Sequence, residues 1–172
     1  MPERKSNSYS RERAFQSFGS RTKGRKPFHL VNKAQKLSAA ITTACAAADK
    51  SYRQTICQDA RHESCDLVHM IRYANFRRLG DVRRVKAQMK AAEKIEEVYD
   101  LIPILRMCRC ITPAKEGEIE LELLYLKASY EGWLRSDLGR MVSFNNEAYE
   151  KAIRQLEFVI EDYFPDDITK GN

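Results

Sequence analysis

The chain has 172 residues, enough for one domain with a real core, and 43% of them are hydrophobic. Only 7 Gly and 5 Pro leave little material for the turns of an all-β fold, and no apolar run approaches the length of a membrane span. The net charge of +6 is uneven: residues 1–26 carry eight bases against Glu3 and Glu12, whereas residues 113–172 carry seven bases against thirteen acids. Such polarity suits a polyanion on one side and a basic partner on the other.

Residues 1–26 are rich in Ser, Arg and Gly, with Tyr9, Phe15 and Phe18 as their aromatics. They cannot bury enough apolar surface to offset ordering entropy, so a disordered basic tail is expected. The start, MPERKSNSYS, has no hydrophobic signal region. The five cysteines, Cys45, Cys57, Cys65, Cys108 and Cys110, read as reduced small core residues, and the expected location is cytoplasmic.

After Pro27, a stripe at Val31, Ala34, Leu37, Ala40, Ile41, Ala44, Cys45 and Ala48 predicts a first helix over about 31–49. A second is expected over about 51–76, capped by Ser51 and buried along Tyr52, Ile56, Ala60, Leu67, Ile71 and Ala74. It should stop near Gly80, where a left-handed backbone costs least. Asp81 is the predicted cap of a third helix with its stripe at Val82, Val85, Met89, Ala92, Ile95, Tyr99, Ile102 and Leu105; Pro103 should kink or shorten it.

Thr112-Pro113 reads as the cap and first residue of a fourth helix. This helix carries two apolar stripes. One holds Leu121, Leu124, Tyr125 and Ala128; the other holds Ile119, Leu123, Leu126, Tyr130 and Trp133. One stripe must face the other helices, and the second set is assigned as an oligomer or partner interface, the alternative being that another helix of the chain, the fifth, covers it. A fifth helix, NNEAYEKAIRQLEFVIEDYF, is expected with a cap at Asn145 or Asn146 and an end at Pro165. The predicted fold is all-α: an antiparallel four-helix bundle over 27–138, a helical extension over 139–172 and the tail over 1–26.

Catalytic signatures are absent from the sequence: it has no Gly-x-Ser-x-Gly elbow, no glycine-rich phosphate loop and no plausible triad. An enzyme is not expected, nor is a cofactor. His62, Cys65 and His69 share one helix face at i, i+3 and i+7, but one helix supplies too few well-angled ligands, so no metal site is assigned. The stretch MIRYANFRRLGDVRRVKAQMKAAEK, residues 70–94, differs in kind. Arg72, Arg77, Arg78, Arg83, Arg84, Lys86, Lys90 and Lys94 face only Asp81 and Glu93 there. Like charges at i,i+4 repel, and a phosphate backbone relieves that repulsion while releasing counterions. Tyr73 and Phe76 lie close enough in sequence to stack on an unpaired base. These eight cations are the candidate nucleic-acid contacts. The alternative is a solvated face paired with the acidic C-terminal third.

Three stretches carry a family resemblance: the Ala-rich first helix, YRQTICQDARHESCDLVHMIRYANFRR with the basic helix after it, and ITPAKEGEIELELLYLKASYEGWL with its Thr112-Pro113 start and Gly132-Trp133. Over about residues 31–137 the chain resembles the accessory variability determinant proteins of diversity-generating retroelements. It is more distantly similar to the four-helix proteins encoded in 23S rRNA intervening sequences. The resemblance implies a non-catalytic four-helix protomer in a homopentameric ring, binding a reverse transcriptase, its template RNA and the cDNA or RNA–DNA hybrid. Such a ring would support mutagenic cDNA synthesis. The alternatives are an rRNA-associated bundle protein and a structural protein-interaction module. The tail and the fifth helix lie outside the family's shared core.

Overall fold

The computed structural model describes residues 28–144 and 147–165. The predicted tail at 1–26 and the predicted Asn145 or Asn146 cap lie outside them. Among the described residues the chain is all-helical and forms no strand. Its five principal helices are α1 (His29–Ala44), α2 (Ile56–Phe76), α3 (Val82–Met107), α4 (Pro113–Ser143) and α5 (Glu150–Tyr163). A 3₁₀ turn, Cys45–Ala47, and a single helical turn, Lys50–Arg53, join α1 to α2.

That junction departs from the expected continuous second helix. Ser51 makes no cap. Instead the Thr55 hydroxyl donates to the Ser51 carbonyl at 3.1 Å and lies 3.4 Å from that of Tyr52, drawing the chain out of helical geometry one residue before α2 begins. Tyr52, expected in the core, is exposed in consequence.

The other caps fall where the residue chemistry puts them. Asp81 accepts from the Arg83 amide at 2.8 Å, and Thr112 accepts from the Lys115 amide at 3.3 Å ahead of Pro113. Gly80 adopts φ +81, and a Cβ there would lie 2.1 Å from the Tyr149 ring. The corner between α2 and α3 therefore needs glycine twice over, for its backbone and for the aromatic packed on it. Pro103 does not shorten α3, which runs four residues beyond it to Met107. Both Pro103 and Tyr99 are exposed, so the Tyr99 carbonyl that Pro103 cannot serve is open to water. After Met107 the amide of Cys110 returns to the Leu105 carbonyl at 2.9 Å across Arg109, the one described non-glycine with positive φ.

Helix α1 packs on α2 and α4, α3 packs on α2 and α4, and α5 lies against α3 and α4. The core between them is built from Leu37, Ile41, Leu67, Ile71, Ile95, Ile102, Leu126 and Leu134, each at most 1% exposed. Each such side chain contributes about 1.5–3 kcal/mol of burial. Ala34, Ala44 and Ala48 keep the buried face of the first segment thin, as its sequence requires. On α5, Ala152, Leu156, Val159 and Ile160 are buried at helical spacing, and Phe164 follows them onto the Tyr130 ring at 5.8 Å. Helix α4 runs without a break through Gly139, the expected start of the C-terminal extension.

Of the two stripes on α4, the structure buries the one assigned to a partner and leaves the other in solvent. Ile119, Leu123, Leu126 and Tyr130 are core residues, and Trp133 is half-buried with its ring 5.2 Å from that of Phe28. Buried within the chain, Ile119, Leu123, Leu126 and Tyr130 have no surface to offer a partner, which corrects their assignment to an interface. Leu121, Leu124 and Tyr125 stand in solvent instead, Leu124 at 62% exposure. Both stripes recur at helical spacing, so periodicity alone could not rank them. The set with Tyr130 has a hydroxyl donating to the Gln88 carbonyl, a buried partner that only α3 supplies.

Candidate nucleic-acid interface

Eight cations were expected at this corner, and the structure divides them into three kinds. Arg84 is interior, at 6% exposure. Its Nε and Nη2 both lie 2.6 Å from Asp137 Oδ2, and Asp137 is itself fully buried on α4. Gln88 Nε2 adds a third donor to the same oxygen at 2.8 Å, while Arg140 Nη2 holds Oδ1. Arg84 Nη1 donates to the carbonyls of Ala74 and Arg77, at 3.1 and 2.9 Å. Those carbonyls belong to the end of α2 and the residue after it, where helical partners run out. Arg84 is thus the tie that fixes α2, α3 and α4 at the corner. Its assignment as a phosphate contact is corrected: desolvated and paired, it has no free donor face to offer.

Lys94 is also accounted for. Its ammonium sits 2.5 Å from Glu63 and 2.6 Å from Glu97. Hydrogen bonds to these two carboxylates raise its pKa. For Glu63, partial burial acts upward, but the hydrogen bond and the charge of the Lys94 ammonium outweigh it and hold the carboxyl below its ordinary value. Lys94 brackets the patch without contributing free charge.

The remaining six, Arg72, Arg77, Arg78, Arg83, Lys86 and Lys90, make no ion pair with any carboxylate among the described residues. Of these, Arg72, Arg78, Arg83, Lys86 and Lys90 are exposed. Arg77 lies over the Tyr73 ring, its Cζ 4.4 Å from the centroid and Nη2 donating to the hydroxyl at 2.7 Å. Pairing with the acidic C-terminal third accounts for Arg84 alone among the eight. The charge of the six stays outside any ion pair among the described residues, on a corner braced from beneath by a buried ion cluster.

Sequence reasoning missed two parts of this site. Asp137 and Arg84 each occupy a buried register, Asp137 between Leu134 and Met141 and Arg84 four residues before Gln88. A carboxylate on one buried face and a guanidinium on another was the available signal. The second omission is a recess beside the ridge, into which His69 and Met70 of α2 project along with Tyr73. The His62–Cys65–His69 face does not converge. His62 lies 3.7 Å from both Glu63 and Asp66, and Cys65 is 3.5 Å from the Ser38 hydroxyl on α1. His62, Glu63 and Asp66 are the one described trio with potential ligand atoms within 4.8 Å of one another, on a largely solvated face.

No family model, curated protein or solved structure matches the chain. Among the described residues no helix is long and apolar enough to cross a membrane.

Proposed function

We propose that this chain is a non-catalytic nucleic-acid-binding subunit that presents the α2–α3 corner to a phosphate backbone. The observation that carries the reading is the set of six cations without carboxylate partners among the described residues, on a corner whose geometry the Arg84–Asp137 pair fixes. Like charges held close on a rigid support repel; phosphates relieve that repulsion and release their own counterions on binding.

Within this reading, α1 to α4 form an antiparallel four-helix bundle with α5 appended. Two series of contacts support that arrangement. Arg84 meets Ala74 while Lys94 meets Glu63, and Arg84 meets Asp137 while Lys127 meets Glu96, so the partners' numbers fall as the α3 numbers rise.

The resemblance of residues 31–137 to the retroelement accessory proteins specifies the reading further. The nucleic acid would be the element's template RNA and its cDNA or RNA–DNA hybrid, and the protein partner its reverse transcriptase. A homo-oligomer, a pentamer in that family, would use the exposed Leu121, Leu124 and Tyr125 in place of the buried stripe. The cytoplasmic location belongs to the same proposal. An affinity pull-down from the native cell, with RNA sequencing and mass spectrometry, tests it. One small RNA recovered together with a reverse transcriptase is the expected result. Recovery of ribosomal RNA instead favours the rRNA-associated relative, and partners that survive nuclease treatment without any RNA refute the nucleic-acid reading.

A further inference from the structure

Beside the cationic ridge, α2 and α3 enclose a recess of about 350 Å³. Its floor is apolar, from Met70 and Ala87, and one wall is aromatic, from Tyr73 and His69. Its other wall is Arg83, Lys86 and Lys90, and no carboxylate lines it. An apolar and aromatic slot of this kind, edged along one side by cations alone, has the chemistry of a nucleotide: a flat face to cover and an adjacent negative charge to hold.

Tyr73 is held ready for that role. Arg77 covers one face of its ring and anchors its hydroxyl, and Arg77 is not part of the recess lining, so the ring is backed from outside. A fixed ring stacks on a base with less ordering entropy to lose. Along α3, Arg83 to Lys90 spans about 10 Å at 1.5 Å per residue, roughly the rise of three stacked nucleotides. A paired base cannot enter such a slot without leaving its helix, whereas an unpaired base can.

We propose that this recess binds an unpaired nucleotide, with its base against Tyr73 over Met70 and its flanking phosphates on Arg83, Lys86 and Lys90. The proposal rests on the nucleic-acid reading of the corner and names what that corner selects: single-stranded over duplex nucleic acid. Phe76 supplies the internal comparison. It is an aromatic on the same helix, 78% exposed, yet outside the recess.

The experiment is fluorescence anisotropy of the full chain with a labelled 12-nucleotide single-stranded RNA and with the corresponding RNA duplex. Tyr73→Leu should weaken single-strand binding roughly 5- to 150-fold, the range of one lost base–aromatic stack, and leave duplex binding within about twofold. Tyr73→Phe keeps the ring and should retain the affinity, as should Phe76→Leu. Circular dichroism melts confirm that each variant is folded. If Tyr73→Leu changes both RNAs equally, or neither, the recess proposal is overturned while the nucleic-acid reading stands. A wild-type chain that binds neither RNA overturns both. If poly-glutamate displaces the single strand as well as unlabelled RNA does, the surface recognises acidic polymers in general and the proposal is likewise overturned.

Discussion

Substituting Arg84 by methionine separates the structural cation from the exposed ones. The change keeps an unbranched side chain about as far as the Nε position and removes the charge facing Asp137, which is 1% exposed as a side chain. Removing one partner of a buried pair costs about 3–5 kcal/mol, because the other charge stays desolvated. Asp137 keeps Arg140 and Gln88, which puts the expectation near the lower bound, at about 3 kcal/mol. For a chain of this size that corresponds to a fall in Tm of about 6–12 °C. The double variant Arg84→Met with Asp137→Leu removes both buried charges. It should recover part of the loss, leaving about 2 kcal/mol for the weakened carbonyls of Ala74 and Arg77 and for the buried Gln88 amide, which loses its acceptor. RNA affinity, measured below both melting points, should stay within about twofold of wild type, since a paired interior guanidinium contributes no phosphate contact. Lys86→Met should do the reverse, changing stability by less than about 0.5 kcal/mol and weakening binding. Thermal melts and anisotropy on the same samples check both readouts. If Arg84→Met melts with wild type and binds RNA poorly, the burial argument is refuted.

Two further outcomes follow from the same geometry. Burial and the neighbouring Cys57 thiol push Cys45 and Cys110 up to about 12. Native-state alkylation followed by mass spectrometry should therefore label exposed Cys65 first and reach Cys45, Cys57 and Cys110 only on unfolding; early labelling of Cys57 would contradict the packing. The Glu63–Lys94 pair combines a lowered carboxyl with a raised ammonium. The carboxyl's contribution is present above its unfolded value and is lost as pH falls below about 4.3. The ammonium's contribution is present below its unfolded value and is lost as pH rises above about 10.4. Comparing wild type with Lys94→Met across pH should give a stability difference that is flat from about pH 6 to 9 and narrows at both ends; a difference that slopes through neutrality would contradict the pairing.

The helices were legible in the sequence wherever one apolar face was set against a polar one. Helix α5 is such a case, and Asp81, Thr112 and Pro113 marked their helix starts because a cap is decided by neighbouring residues. The faces of α4 were not legible, because Leu121, Leu124 and Tyr125 repeat at the same spacing as Leu123, Leu126 and Tyr130. Which row is buried depends on what the other helices bring to meet it, as Gln88 does for Tyr130. The break at Thr55 was hidden for a different reason: a hydroxyl bonding back to Ser51 competes with the helix without changing its periodicity. At the site, six of the eight cations have no carboxylate partner among the described residues, as an excess of like charge in the sequence suggests. The pairing of Arg84 was not legible, because its partner lies on another helix 53 positions away, a distance over which composition carries no pairing information.

The salt dependence of RNA binding separates cations that engage a phosphate backbone from a merely solvated basic face. If all six engage a single strand, log Kd should rise against log salt with a slope of about 4, from roughly 0.7 per phosphate neutralised. Replacing Lys86 and Lys90 together by glutamine should lower that slope by about 1.4. A slope near zero, or one that the double replacement leaves unchanged, would rule out phosphate binding by these cations.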